Sequence, residues 1–257
     1  MSSTGLVLRQ VRFTNKAFWR NPAAAFFTFA FPLLFLVIFT TLFGSADITI
    51  NGHDVSVATF YITGIAAFSV ITACYTNIAM SLTFARDLGV LKRVKGTPLP
   101  GWAYLAARMI HAVAIAILLV VICLIFGMLL YDARLPAGSI PAFVVTLALG
   151  AACFSALGMA VTTIVPNADA APAIVNATIL PLLFVSDVFI PLQDPPAWLD
   201  MVGKIFPVRH FSEAMQEVFF PSAGSSGFAF THLAVLAAWA AVGLLIAIRR
   251  FSWEPRR

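Results

Sequence analysis

Charge is what this sequence has least of. Asp, Glu, Lys and Arg make up 11% of its 257 residues, where a soluble domain carries ~25%. No acidic residue falls at mid-depth of a long apolar run; Asp169 and Asp187 sit near run ends. That argues against a buried carboxylate relay for proton coupling, and no ring of charge marks an ion filter. There is no G-x-x-x-x-G-K-[ST] loop, because Gly203-Lys204 lacks the upstream glycine and the following hydroxyl, so that device for cradling a nucleotide is missing. H-E-x-x-H, C-x-x-C and G-x-S-x-G do not occur either. The three cysteines, Cys74, Cys123 and Cys153, lie inside apolar runs and read as small packing residues. His53, His111, His210 and His232 are dispersed and read mostly as interfacial or packing residues. No catalytic, cofactor or metal site is expected in this chain, and no internal repeat of the secondary-carrier kind stands out.

What the chain has instead is hydrophobic length. It is 61% hydrophobic with a mean hydropathy of +0.95. Runs of about 20 apolar residues recur, the length that crosses a ~30 Å hydrocarbon core. Six spans are expected, near 23–43, 57–83, 104–130, 140–165, 172–191 and 230–248. The first is too long for a signal-peptide core and reads as a retained span. The expected fold is an all-α polytopic membrane domain over the whole chain.

Orientation follows from the basic residues near span ends. Of the 16 Lys and Arg, 13 fall on one side: Arg9, Arg12, Lys16, Arg20, Arg86, Lys92, Arg93, Lys95, Arg108, Arg249, Arg250, Arg256 and Arg257. Only Arg134, Lys204 and Arg209 fall on the other, together with Asp47, Asp54, Asp132, Asp187, Asp194, Asp200, Glu213 and Glu217. Both termini and the segment 86–100 are therefore expected in the cytoplasm, in a plasma-membrane protein. The +5 net charge reflects this topology and is no argument for nucleic-acid binding.

Three extramembrane features are expected. Within 1–22, Arg9, Arg12, Lys16 and Arg20 share one helical face opposite Val7, Val11 and Phe18; this reads as an amphipathic helix on the inner membrane surface, stopped at Asn21-Pro22. In 192–228, two short helices near Pro195–Phe206 and Val208–Phe220 are apolar on one side but too short to span, as re-entrant or interfacial pieces are. Between the second and third spans, RDLGVLKRVKGTPLP runs from Arg86 to Pro100. A short helix over 86–94 is expected there, with Leu88 and Leu91 on one patch, stopped by Gly96, Pro98, Pro100 and Gly101. In the second span, Ser69, Thr72, Thr76 and Thr83 fall on one helical face, flanked by Tyr75 and Asn77. The fifth adds Asn176, Thr178 and Pro181. Such residues also serve ordinary helix–helix hydrogen bonding.

No energy source is visible in the sequence, so either the chain dissipates a gradient or another protein powers it. RDLGVLKRVKGTPLP resembles the first cytoplasmic loop of ABC type-2 exporter permeases of the drug-resistance and polyketide- or lipid-export branch. W-R-N-P at Trp19–Pro22, F-P-L at Phe31–Leu33, F-I-P-L…P-P-A-W-L at Phe189–Leu199 and F-P-V-R-H-F-S-E-A at Phe206–Ala214 resemble the same family in the same order. The resemblance implies a dimer of permease subunits bound to two cytosolic ABC ATPase subunits, with ATP and Mg on those partners. It implies outward movement of an amphipathic compound, drug-like or lipid-like. Arg86, Leu88, Leu91, Lys92, Arg93 and Lys95 would couple to the ATPase, while Ser69, Thr72, Thr76 and Asn176 would line the substrate path. A passive channel or an ion-coupled carrier is the alternative, and for 86–100 the plainer reading is a topogenic basic loop.

The charge bias makes a direct prediction. In a variant lacking the native cysteines, a single cysteine replacing Asp54 is labelled in intact cells by an impermeant reagent, and one replacing Lys95 is protected. The opposite labelling pattern would reverse the orientation.

Overall fold

The computed structural model describes residues 3–43, 47–50, 53–131, 136, 138–189 and 196–254. Asp132, Arg134, Asp194, Arg256 and Arg257, used above for orientation, lie outside these, as do the end of the expected fifth span and the start of the expected outer segment.

The chain folds as a bundle of helices. α1 (Ser3–Trp19) ends where Asn21-Pro22 intervenes; Pro22 opens α2 (Pro22–Phe43), and Asn21 Oδ1 accepts from the amide of Ala24 at 3.3 Å. A proline at the first helical position loses nothing, since that N–H has no partner in the helix. α1 turns Val7 inward onto Ala103 and Ala107, and keeps Arg9, Arg12, Lys16 and Arg20 exposed. After α2 a small antiparallel hairpin pairs β1 (Asp47–Ile50) with β2 (His53–Ser56). Apart from these two four-residue strands, every described element is helical, as expected of an all-α membrane domain.

The second span is the hub. α3 (Val57–Ile71), a π-helical turn at Thr72–Thr76 and α4 (Asn77–Asp87) form one continuous helix of 31 residues. Its most apolar stretch is 94% buried, against 17% for α2, so the other helices wrap this one while α2 stands at the rim. α5 (Val90–Lys95), α6 (Gly101–Tyr131) and α7 (Ile140–Val161) follow, and α11 (Phe230–Arg250) packs along α7. Rings of Phe35, Phe39, Tyr61, Phe68 and Phe189 stack or tilt at centroid distances of 5.2–6.0 Å and join α2 to the hub.

Five described helices are long and apolar enough to cross a membrane: α2, the α3–α4 helix, α6, α7 and α11. The fifth expected span is shorter than its sequence promised. α8 (Ala171–Phe184) has 14 residues, about 21 Å at 1.5 Å per residue, and the chain then turns at Val185–Asp187, where Asp187 has φ +52. α9 (Ala197–Ile205) and α10 (Pro207–Phe219) agree with the two short helices expected. They behave differently. α9 leaves Trp198, Met201 and Ile205 exposed, whereas α10 buries Val208, Phe211, Ala214, Met215 and Val218.

One end of the bundle collects the basic segments. Trp253 lies against Tyr104 at a ring distance of 6.3 Å, and Glu254 pairs with Lys95 at 3.4 Å, so the chain after α11 returns to α5 and the start of α6. The hairpin, α9 and α10 belong to the opposite end.

Candidate functional site

Two constructions stand out, a groove beside the π-helical turn and a short basic helix clamped to the bundle. The groove encloses about 450 Å³ between α2 and the second span. Phe27, Phe31 and Pro32 form one wall; Thr72, Thr76 and Asn77 place polar atoms on the other. Pro32 has no N–H, so it cannot donate to the Thr28 carbonyl one turn back. The opposite wall is irregular too, because each π-type bond spans one residue more than an α-type bond.

That extra residue explains which sequence expectations survive in space. In a regular helix Ser69, Thr72, Thr76 and Thr83 would share a face. The π turn rotates everything after it back by roughly one residue's step, ~100°. Thr72, Thr76 and the next residue, Asn77, therefore line the groove together, while Thr83 is fully buried. Ser69 is also fully buried; it donates to the Ile65 carbonyl at 2.7 Å and lies 3.7 Å from Cys123 Sγ. Neither faces the groove. Tyr75 points the other way and hydrogen-bonds Thr178 on α8 at 2.7 Å. Asn176 is on the exposed side of α8, away from the groove. Gly158 of α7 backs the turn: a Cβ there would sit 2.7 Å from the Tyr75 carbonyl oxygen, so only glycine lets α7 approach so closely.

The segment 86–100 is not one helix from Arg86. Leu88 closes α4, and Gly89 adopts φ +69 before α5 starts at Val90. A left-handed residue ends a helix at little cost only when it is glycine. The break divides the expected coupling residues into two groups. Leu88, Lys92, Arg93 and Lys95 are exposed, but Arg86 is 2% exposed and Leu91 fully buried. The expected Leu88–Leu91 surface patch is therefore absent, because the turn at Gly89 points Leu91 into the core.

Arg86 is the least expected of these residues. Its guanidinium donates to the carbonyls of Thr162 at 2.9 Å, Val165 at 2.7 Å and Pro166 at 3.2 Å. These oxygens lie at and just beyond the end of α7, where helical carbonyls lack partners and the helix dipole is negative. Asp87 lies 3.5 Å from Arg86 Nε and accepts from the amide of Ala168. The pair thus ties the end of the second span to the α7–α8 turn. The sequence hint was the Arg-Asp pair lying before Gly89 while the other cations follow it.

At the opposite end, Arg209 gathers three carboxylates: Asp200 at 2.7 Å, Glu213 at 2.8 Å and Asp187 at 3.8 Å. Burial works against the charge of Arg209, but hydrogen bonds and charge from Glu213, then Asp200 and Asp187, outweigh it and raise its pKa. The hydrogen bond from Lys204 holds the Asp200 carboxyl below its ordinary range against partial burial, with Arg209 adding to the effect. His210 and His232, dispersed in sequence, meet here at 2.9 Å.

Residues 7–220 match the ABC-2 type transporter family. The chain belongs to that family. Among its relatives, it is 24% identical over 227 residues to "Putative transport permease ycf38" of Porphyra purpurea, covering 88% of this chain and 76% of that protein. It is 26% identical over 200 residues to the daunorubicin resistance ABC transporter permease protein DrrB1 of Streptomyces coeruleorubidus, covering 75% of this chain and 67% of that one. A third relative, named as a probable multidrug ABC transporter permease, YbhR of Escherichia coli, is 24% identical over 157 residues, 60% of this chain and 42% of its own length. The chain is a multi-pass ABC-2 permease.

The clamp in this permease is testable by stability. Arg86→Gln removes most of the charge-assisted bonds to buried carbonyls and is expected to cost about 2–4 kcal/mol. It should lower the thermal unfolding midpoint of the detergent-solubilised protein. Lys92→Gln, on the exposed helix, is expected to stay within about 0.5 kcal/mol of wild type. Equal midpoints for all three proteins would mean that Arg86 holds nothing.

Proposed function

We propose that this permease is the membrane subunit of an ATP-driven exporter. It moves an amphipathic drug-like or lipid-like compound outward while separate cytosolic ABC ATPase subunits hydrolyse ATP with Mg. The observation that carries this reading is α5: a six-residue basic helix held outside the bundle, yet anchored into it by Leu91 and, just before it, by Arg86. An ATPase contacting Leu88, Lys92, Arg93 and Lys95 would push on a part that cannot slide independently of the α7–α8 turn. Arg86 and Leu91 then transmit force rather than touch the partner. The three exposed cations suit acidic residues on the ATPase, and the 13-to-3 charge bias supports placing this end in the cytoplasm of the plasma membrane. With Arg9, Arg12, Lys16 and Arg20 outward and Leu8, Phe13 and Trp19 also exposed, α1 suits the inner membrane surface.

The groove is the proposed substrate path, with Thr72, Thr76 and Asn77 as its polar contacts and phenylalanines as its apolar wall. Of the other path candidates, Ser69 supports the hub. Asn176 shares the exposed face of α8 with Leu180 and Phe184, a face that suits a second permease subunit. A gap between α2 and a π-distorted helix can open by small shifts, because neither wall has a complete regular hydrogen-bond ladder in its middle.

Affinity purification from native membranes provides the test. Wild-type protein is expected to bring an ABC ATPase with it. Leu88→Asp combined with Lys92→Glu is expected to reduce ATPase recovery at least about tenfold, since a carboxylate enters an apolar contact and a charge pair is reversed. Both changed residues are exposed, so insertion and unfolding midpoint should match wild type. Undiminished recovery with the double variant would remove α5 from the coupling path, and absence of any ATPase with wild type would favour a passive channel or ion-coupled carrier.

A further inference from the structure

The end of the bundle opposite α5 holds a group of side chains that export coupling does not use. His210 and Glu213 are one helical turn apart on α10, and i,i+3 residues share a face. His232 reaches them from the first turn of α11. His210 Nδ1 lies 2.9 Å from His232 Nδ1, and His232 Nδ1 lies 3.3 Å from Glu213 Oε2. The three ligand atoms all fall within 4.8 Å of one another. Four ligands held tetrahedrally at ~2.0–2.1 Å from an ion are roughly 3.3 Å apart, so two of these separations already approach a coordination edge.

We propose that His210, Glu213 and His232 form a binding site for a divalent transition-metal ion of the zinc class, joining α10 to α11. The neighbours supply the independent argument, because they orient each ligand. His210 Nε2 is 2.9 Å from the Lys204 carbonyl oxygen. A carbonyl only accepts, so Nε2 carries the proton and Nδ1 of the neutral ring presents a bare lone pair. Metal-binding histidines are typically set in this way, through a carbonyl on the far nitrogen. Glu213 is oriented likewise: Arg209 Nε binds Oε1 at 2.8 Å and leaves Oε2 toward His232. His232 Nδ1 thus faces a lone pair and a carboxylate oxygen together. One proton on that nitrogen can bond to them only by sharing; a cation draws in all three.

Charge and access also fit. The adjoining cavity, about 740 Å³, is lined by Asp187, Glu213 and Glu217 with Lys204 as the cation at its edge. With Asp200 and Arg209 included, four carboxylates face two cations. Arg209, which would repel an ion, is turned to the other oxygen of Glu213 and to Asp200. Two imidazoles and a carboxylate favour zinc-class ions over Mg²⁺ or Ca²⁺, which prefer all-oxygen sets. Three protein ligands leave the fourth position to water. Glu213 and His232 are each about 30% exposed, so an ion can reach the site from the cavity.

The test is Zn²⁺ titration of tag-free, chelator-stripped full-length protein in nanodiscs, followed by calorimetry and by unfolding midpoint. Wild type is expected to bind one Zn²⁺ per chain and to unfold at higher temperature with the ion present, since a ligand bound only to the folded state stabilises it. His232→Gln and Glu213→Gln are each expected to weaken binding at least about tenfold; the second keeps an acceptor for Arg209. Lys204→Gln, outside the ligand set, is expected to bind as well as wild type or better. Co²⁺ should give the visible spectrum of a nitrogen–oxygen tetrahedral site in wild type and lose it in His232→Gln. Failure of wild type to bind stoichiometrically, or equal binding by both ligand variants, would reduce the cluster to a hydrogen-bonded contact and overturn the proposal.

Discussion

A guanidinium buried under three carbonyl oxygens organises the basic end of this permease. Taking Arg86 out of water would cost several kcal/mol if its charge were uncompensated. It is compensated by the unfulfilled end of α7 and by Asp87 beside it. The exchange works in both directions: the helix end gains donors and the charge gains acceptors. Because the acceptors are backbone atoms at three nearby positions, the second span cannot leave the α7–α8 turn without exposing all of them. The rest of the basic end depends on this joint. α5 hangs from it through one glycine and is secured by Leu91, while the segment after α11 reaches over to Lys95 and Tyr104.

From that joint the second span runs through the bundle as its most buried helix, and its regularity fails at Thr72–Thr76. The failure sits where α2, the least buried span, also loses a backbone donor at Pro32. Rigid attachment at one end and two weakened ladders part-way along make a helix pair able to change its gap while its root stays fixed. At the far end, α10 packs into the bundle through Phe211 and Met215, and the Arg209 cluster ties its start to α9 and to the turn after α8. The permease is thus firmly joined at both ends and loosest along the α2 groove.

Hydrophobic length and basic asymmetry are written locally, so five of the six expected spans, the break at Asn21-Pro22 and the two short helices before α11 are legible in the sequence; the expected fifth span is not, because α8 ends after 14 residues. Contacts that join distant segments are not legible either. Arg86 looked like the first of a run of loop cations, and nothing local marks Thr162, Val165 and Pro166 as its acceptors. A threonine face over 69–83 requires an unbroken 3.6-residue period, and the π turn breaks it, leaving Thr83 in the core and Asn77 at the groove. Leu91 was misplaced for a related reason: one left-handed glycine redirected a helix that looked continuous. His210 and His232 lie 22 residues apart, so only the i,i+3 spacing of His210 and Glu213 is visible locally.

On the proposed reading, the end of the second span and the α7–α8 turn move as one body when an ATPase partner acts, while the groove beside α2 changes width. Pulsed electron resonance distances between spin labels on exposed positions measure this directly, with the buried native cysteines replaced. Labels at Phe84 and Ile164 report the joint; labels at Phe84 and Phe26 report the groove. Adding ATP to the complete complex is predicted to leave the Phe84–Ile164 distance unchanged and to shift the Phe84–Phe26 distance. A change in the first distance as large as that in the second would contradict the account.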